Sequence, residues 1–517
     1  MMAIEQVNHV ALTLDEQLPI WLIVIPFVAA PLILLFGNKG LAWVFSFLAT
    51  AFSLAISVIL VLTLKDGGVI SYHIGGWAPP IGIEYRIDAT NALILMLISL
   101  IATVALLYAY RSVMSEINPK HHTLFYASYM LCFTGLMGIV ITGDAFNIFV
   151  FLEISSLATY ILVAMGAYKD KRALTAAYDY LILGTIGATF FVIGIGFLYM
   201  ATGTLNLVDL ADRISDQGLN RTIRAGFGFI VIGLGLKIAI MPLHLWLPRA
   251  YTFAPSVVTV FLSATATKAS IYVLLRFLFS IYHPTFAFGE NIILIIFMPL
   301  AIASMFLASI DAIFQTNLKR MLAYSSIGQI GYLLLGASLM NQLGLTATLV
   351  HMFNHGITKA LLFMGAGVFA LKVGKVSYEN IAGLGKIMPF KAAAVVIGCL
   401  SLIGIPGTAG FISKWILVQG ALANGWWHIA LLIVLSSLLS VIYVWRLIEI
   451  IYVVPTKKVG TITEAPIFML APMWILAFAC LFFGVFTDFI LDPAQTAAQN
   501  LLSLPISGIE NTLGDGS

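Results

Sequence analysis

The chain is a succession of apolar runs, many of them 20 or more residues long, separated by short polar loops. Such a run can cross roughly 30 Å of hydrocarbon as an α-helix. In lipid the backbone N–H and C=O groups must be satisfied internally, which admits only helices or closed barrels. Continuous apolar runs without period-two alternation select helices over barrel strands. Hydropathy and turn residues predict about fourteen spanning helices, near 20–37, 41–64, 89–110, 122–142, 144–167, 174–201, 222–241, 253–281, 291–310, 321–340, 344–370, 392–420, 424–450 and 466–489. The expected fold is an all-α polytopic membrane protein. The longest hydrophilic stretches, 65–88, 202–221, 372–391 and 490–517, are too short for a soluble catalytic domain. Chemistry is therefore expected within the membrane or at its faces.

Composition sharpens this. Of 517 residues, 61% are hydrophobic and 9% charged, whereas soluble domains carry about 25% charged residues. The net charge of +3 is spread over loops, with no basic tract suited to nucleic acid. Cys132, Cys399 and Cys480 stand singly in apolar segments, without metal-ligand or redox spacing. Iron–sulfur, haem and disulfide roles are thus not expected, and no cofactor is predicted. Glu5, Asp15 and Glu16 precede the first apolar run, the reverse of a basic signal-peptide start, so no cleavage is expected.

The basic residues orient the chain. Of 26 Lys and Arg, sixteen fall in loops on one side, Lys169, Lys319, Lys375, Lys391 and Lys458 among them, and five on the other. The positive-inside rule makes the first side cytoplasmic and places both termini extracytoplasmically. The remaining five, Lys237, Lys268, Arg276, Lys359 and Lys414, fall within helices.

A charge at the bilayer centre costs at least about 2.5–3.5 kcal/mol on insertion scales, so residues of this kind face a bundle interior or a wet path. Glu153 is the clearest carboxylate, near the middle of its helix in FNIFVFLEISSLATY. It reads either as an ion-relay carboxylate or as a packing partner for a nearby Lys. Lys237 lies in GLGLKIAIMPLHLWLPRAY, where Pro242 and Pro248 interrupt an apolar helix. Broken helices at membrane depth line protein or water and mark transporter sites. His244 follows seven residues later, near the same face if the kink is mild. Lys268 sits among Ser263, Thr265, Thr267 and Ser270, small hydroxyl residues that allow close helix packing. Arg276, nearer the helix end, reads as an interface anchor. His351, His355 and Lys359 fall at i, i+4 and i+8, one helical face. Imidazole titrates near neutrality, so this stripe suits a proton wire. Metal binding there would lack a third ligand placed by the sequence. Lys414 follows Pro406, Gly407 and Gly410, a second interruption. Two interrupted helices, each with a Lys, point to inverted repeats. The division expected is 1–121 (helices one to three), 122–281 and 291–450 (two five-helix repeats), and 466–517 (helix fourteen and tail).

At these motifs the chain resembles the antiporter-like membrane subunits shared by respiratory complex I, membrane-bound hydrogenases and multisubunit Na⁺/H⁺ (Mrp-type) antiporters. The stretches FNIFVFLEISSLATY, GLKIAIMPLHLWLPRAY, LSATATKASIYVLLRF, QTNLKRMLAYSSIGQIGY, HMFNHGITKALLFMGAG and IPGTAGFISKW run in family order over 75–450. The resemblance implies a Glu153–Lys237 pair, Lys268 as the connecting lysine, a His351–His355–Lys359 relay, and Lys414 on the exit side. The fourth complex I-type subunit generally has Glu at the position of Lys414, so the likeness is to the D subunit of an Mrp-type antiporter, with the complex I subunit carrying that Lys as rival. It implies H⁺ and Na⁺ as cargo and other membrane subunits as partners within the lipid bilayer. A transporter subunit without a redox centre of its own is expected; a scaffold that moves nothing is the alternative of another class.

Overall fold

The computed structural model describes residues 14–503 apart from 219, 284–291 and 456–463. Lys458 and the tail from 504 lie outside the described residues. The fold is almost entirely helical. Its helices are α1 (Leu14–Phe36), α2 (Lys39–Thr63), α3 (Ala89–Glu116), α4 (His122–Ile141), α5 (Ala145–Ala164), α6 (Arg172–Thr202), α7 (Leu207–Gln217), α8 (Arg221–Ile238), α9 (Trp246–Phe253) and α10 (Ser256–Leu275). There follow α11 (Met298–Phe314), α12 (Leu318–Ser338), α13 (Gln342–Val373), α14 (Pro389–Ile403), α15 (Ala409–Ala423), α16 (Trp427–Tyr452), α17 (Ile467–Val485) and α18 (Asp488–Leu502). Side-chain caps start many of them. Asp88, Asp144, Asn220, Asn317 and Asn341 accept from the first-turn N–H groups of α3, α5, α8, α12 and α13.

Among the described residues, eleven helices are long and apolar enough to cross a membrane; a pair bent by 114°, Tyr378–Ile387 with Pro389–Ile403, makes a twelfth if counted as one span. Three stretches read as spans fall outside the eleven for physical reasons. Arg221–Ile238 carries Arg221, Arg224 and Lys237, and Leu318–Ser338 carries Lys319, Arg320 and a row of Ser and Gly. The stretch 392–420 is not one helix but two helices of 15 residues.

The hydrophilic stretches hold more order than hydropathy reveals. In 65–88, β1 (Ile70–His73) pairs antiparallel with β2 (Glu84–Ile87), Ser71 opposite Arg86. Tyr85 then bridges to Thr142, and Asp144 to Asn206, gathering the loops of one end of the bundle. At the other end Asn317 bridges Ser377. The stretch 202–221 contains α7, and the described part of 490–517 contains α18.

Burial ranks the helices by position. Of its most apolar stretch, α10 has 94% buried against 33% for α16, so α10 is central and α16 peripheral. Glycines let helices approach: a Cβ on Gly233 would stand 2.5 Å from the Gly187 carbonyl oxygen, so α8 lies directly on α6.

Both interruptions exist. α8 stops where Ala239 turns left-handed (φ 63°), and 240–245 runs irregularly into α9. α14 stops at Gly404 (φ +90°), a conformation that favours glycine. A Cβ on Gly410 would stand 1.8 Å from the Ser401 carbonyl oxygen, so only glycine lets α15 return against α14.

Candidate functional site: a buried line of ionisable side chains

The line begins between α5 and α8. Glu153 lies mid-way along α5, and its Oε1 is 3.9 Å from the Lys237 ammonium. Lys237 is buried in the last turn of α8 and donates at 2.5 Å to Ser156 Oγ, one turn beyond Glu153. The ammonium is thus held by a hydroxyl first and a carboxylate second. Lys237 does not snorkel to an interface. Sequence reasoning missed Ser156, although its i+3 spacing from Glu153 places it on that face.

The centre is built by α10, α12 and α13. Lys268, fully buried, donates to the Ser263 carbonyl of its own helix at 2.5 Å. On α13 the stripe holds: the His351 and His355 rings stack with centroids 5.6 Å apart and planes 6° from parallel. Lys359, also fully buried, donates to the Leu322 carbonyl at 2.9 Å and to Ser325 Oγ at 2.5 Å, both on α12. His351 Nδ1 is 2.8 Å from Ser413 Oγ on α15. Its Nε2 and both ring nitrogens of His355 have no protein partner. Buried polar atoms of that kind ordinarily hydrogen-bond to water.

The far end lies at the second interruption. Lys414, buried on α15, reaches back to donate to the Leu402 and Ile403 carbonyls at 3.1 and 2.8 Å. Its ammonium stands 4.9 Å from the centroid of the Tyr332 ring, which itself lies 5.9 Å from the His351 ring. Lys414 and His351 are therefore joined through shared neighbours, Tyr332 and Ser413. Among the described residues no hydrogen bond joins Lys237 to Lys268, or Lys268 to the histidines; a proton crossing those gaps needs water or side-chain movement.

All these residues fall inside 142–440, the stretch that matches a family described as NADH:quinone oxidoreductase/Mrp antiporter, transmembrane. The chain belongs to this family. A relative in Desulforudis audaxviator, the N subunit of NADH-quinone oxidoreductase, is 37% identical, the match covering 93% of this chain and 98% of the relative. The D subunit of the Na⁺/H⁺ antiporter of Bacillus subtilis is 30% identical, the match covering 93% of this chain and 96% of the relative. A chain of the Mrp complex from Dietzia sp. superposes with a TM-score of 0.89 at 25% identity, covering 97% of this chain and all of that one.

For this antiporter-like chain, four sequence readings need correction. His244 does not continue the face of Lys237, because α8 ends at Ile238; it sits buried in the irregular link, its Nδ1 without a protein partner. Arg276 is not an interface anchor. It is buried and clamps both Asp88 oxygens at 2.6 and 2.5 Å, and its Nε donates to Tyr272 OH at 2.9 Å. Lys319 and Lys391, counted as loop residues, are buried in first helical turns. Lys391 lies on the Phe369 ring, and its backbone N–H donates to Glu464 at 2.9 Å. For Arg276, Lys319 and Lys391 a partner comes from a distant segment, Asp88, Ala254 and Glu464 respectively, so proximity to a helix end or loop misled.

Proposed function

We propose that the chain is a proton-translocating subunit of a multisubunit cation/proton antiporter, with H⁺ moving along a mid-membrane relay coupled to Na⁺ exchange. The relay runs from Glu153 and Lys237 through Lys268 to His355, His351 and Lys359, and on to Lys414. The observation that carries this reading is the stacked His351–His355 pair, with three ring nitrogens free of protein partners, set between buried lysines. A scaffold that moves nothing would gain little from several buried charges, each of which costs stability unless paired or hydrated. The test is H⁺ transport by everted vesicles containing the assembled complex. Lys359→Ala and His355→Ala should each remove it at normal complex content, and full transport in both would sink the relay.

On this reading α8 with α9, α12, and α14 with α15 supply three further crossings, giving fourteen. Helices four to eight and nine to thirteen (122–281 and 291–450) form inverted repeats, and both termini face away from the cytoplasm. The chain sits in the bacterial plasma membrane, among other membrane subunits.

A second reading has specific support. Identity to the N subunit of an NADH-quinone oxidoreductase is 37%, above the 30% to the D subunit of an antiporter. Partners would then drive proton pumping by electron transfer. Mass spectrometry of the gently solubilised complex separates the two, since quinone-reductase and antiporter partners differ in mass and in bound redox groups.

A further inference from the structure

The relay has ends near the two interruptions, but its centre also approaches an opening that the relay does not use. On the face bearing Lys169, Arg172 and Lys375, a cavity of about 450 Å³ opens between the ends of α3, α9, α12 and α13. Its rim is exposed and carries those three cations with Asp170; its base holds half-buried Glu116 and buried Lys319. Lys319 makes one long hydrogen bond, 3.4 Å, to the Ala254 carbonyl. It stands in the first turn of α12, the helix whose Leu322 carbonyl and Ser325 hydroxyl receive the Lys359 ammonium. At 1.5 Å per residue these acceptors lie only about 4.5 and 9 Å further along that helix.

The charges select the ion. Four cations face two carboxylates, and both carboxylates are engaged. Asp170 pairs with Arg172 at 2.6 Å, while Glu116 accepts from Ser112 Oγ at 2.9 Å and from Ser256 N and Oγ at 2.7 and 3.0 Å. A hydrated Na⁺ meets net repulsion there and no free oxygen anion. A proton can instead be handed on by an amine that loses and regains it.

We propose that this cavity is the aqueous port of the central relay, and that Lys319 passes protons between cavity water and Lys359. The Lys319 ammonium gives one proton toward neutral Lys359, and the neutral amine then takes another from a cavity water, restoring its charge and leaving hydroxide, which exchanges with bulk water past the cationic rim. The proposal rests on the relay reading above, and the test separates the two. Ala370→Cys and Leu371→Cys line the cavity wall; the native cysteines Cys132, Cys399 and Cys480 are buried and give a quiet background. Everted vesicles containing the complex are treated with a membrane-impermeant methanethiosulfonate, and H⁺ transport is read before and after. Lys319→Arg, which keeps the charge but not the proton exchange, is assayed beside them. Labelling and Lys319→Arg should each lower H⁺ transport at least tenfold. Rates within twofold of the parent in both, while Lys359→Ala is inactive, would overturn the port and leave the relay standing. An altered Na⁺ half-saturation with H⁺ transport at fixed Na⁺ unchanged would overturn the choice of ion. Full transport in Lys359→Ala would remove the relay reading and the port with it.

Discussion

Lys414→Arg asks whether the lysine at the second interruption passes protons or only holds the chain. The ammonium makes two hydrogen bonds to backbone carbonyls, at 3.1 and 2.8 Å. Hydrogen bonds to charged groups contribute about 1.5–3 kcal/mol each, so Lys414→Ala should destabilise the helix break and lower the yield of complex. Arg keeps the charge, offers five donors and can bond the same carbonyls, so Lys414→Arg should assemble. What it cannot do is lose a proton readily. Reference pKa values near 10.4 for Lys and at least about 12.5 for Arg differ by about two units, or about 3 kcal/mol at 1.36 kcal/mol per unit. If deprotonation lies on the transport path, that is a loss of about 100-fold in rate. The assay is H⁺ transport normalised to assembled complex, for Arg beside Ala and the parent. An Arg variant within about threefold of the parent rate would leave Lys414 as an electrostatic strut, since the roughly 100-fold penalty would be missing.

Glu153→Ala should assemble yet abolish transport, because it removes the carboxylate beside Lys237 and leaves the Ser156 bond; vesicles that still collapse a pH gradient would count against it. Gly410→Ala should cut the yield of folded protein by costing about 1–3 kcal/mol or more, since its Cβ would overlap a backbone oxygen 1.8 Å away that cannot swing aside; a normal thermal midpoint in detergent would be the contrary result. Cysteine at Asp66, on the β-hairpin side, should label only from the extracytoplasmic face and at Lys171 only from the cytoplasm; the opposite pattern would invert the orientation. For Asp88, burial alone would raise the carboxyl, but Arg276 at hydrogen-bond distance outweighs it and holds the pKa below the usual value. A depressed folded-state value contributes stability above the unfolded pKa of about 3.9, which is lost as the pH falls through the folded value. Parent stability in detergent should therefore drop on acidification below about pH 4, and Asp88→Asn, less stable at neutral pH, should lose less; parallel acid curves would refute this.

The helices were legible because spanning a bilayer leaves a sequence little freedom: α2, α3 and α17 each carry a long apolar run without a charged residue. Their interruptions were legible through Pro242, Pro406 and Gly407, and the His351–His355–Lys359 stripe through its spacing of four. The β-hairpin was hidden because four-residue strands leave no signal at the scale of a membrane span. Asp88–Arg276 was hidden because its partners are 188 residues apart. Lys319 and Lys391 were misplaced for a related reason: near a helix end, sequence does not distinguish a lysine turned to solvent from one folded under a neighbouring helix.

The two interruptions also settle what kind of counter-charge each lysine has. A half-helix that stops inside the protein ends in carbonyls with no onward partner in the helix itself, equivalent to roughly half a negative charge. Lys237 sits in the last turn of such an end, and Lys414 bonds directly to another. Lys237 has Glu153 as well, 3.9 Å away, whereas among the described residues no carboxylate lies within ion-pair distance of Lys414. Lys237 thus faces a carboxyl group as well as a helix end, while Lys414 faces a helix end alone. The same residue type is thus held by two kinds of counter-charge, and removing Glu153 alone would make the two breaks electrostatically alike.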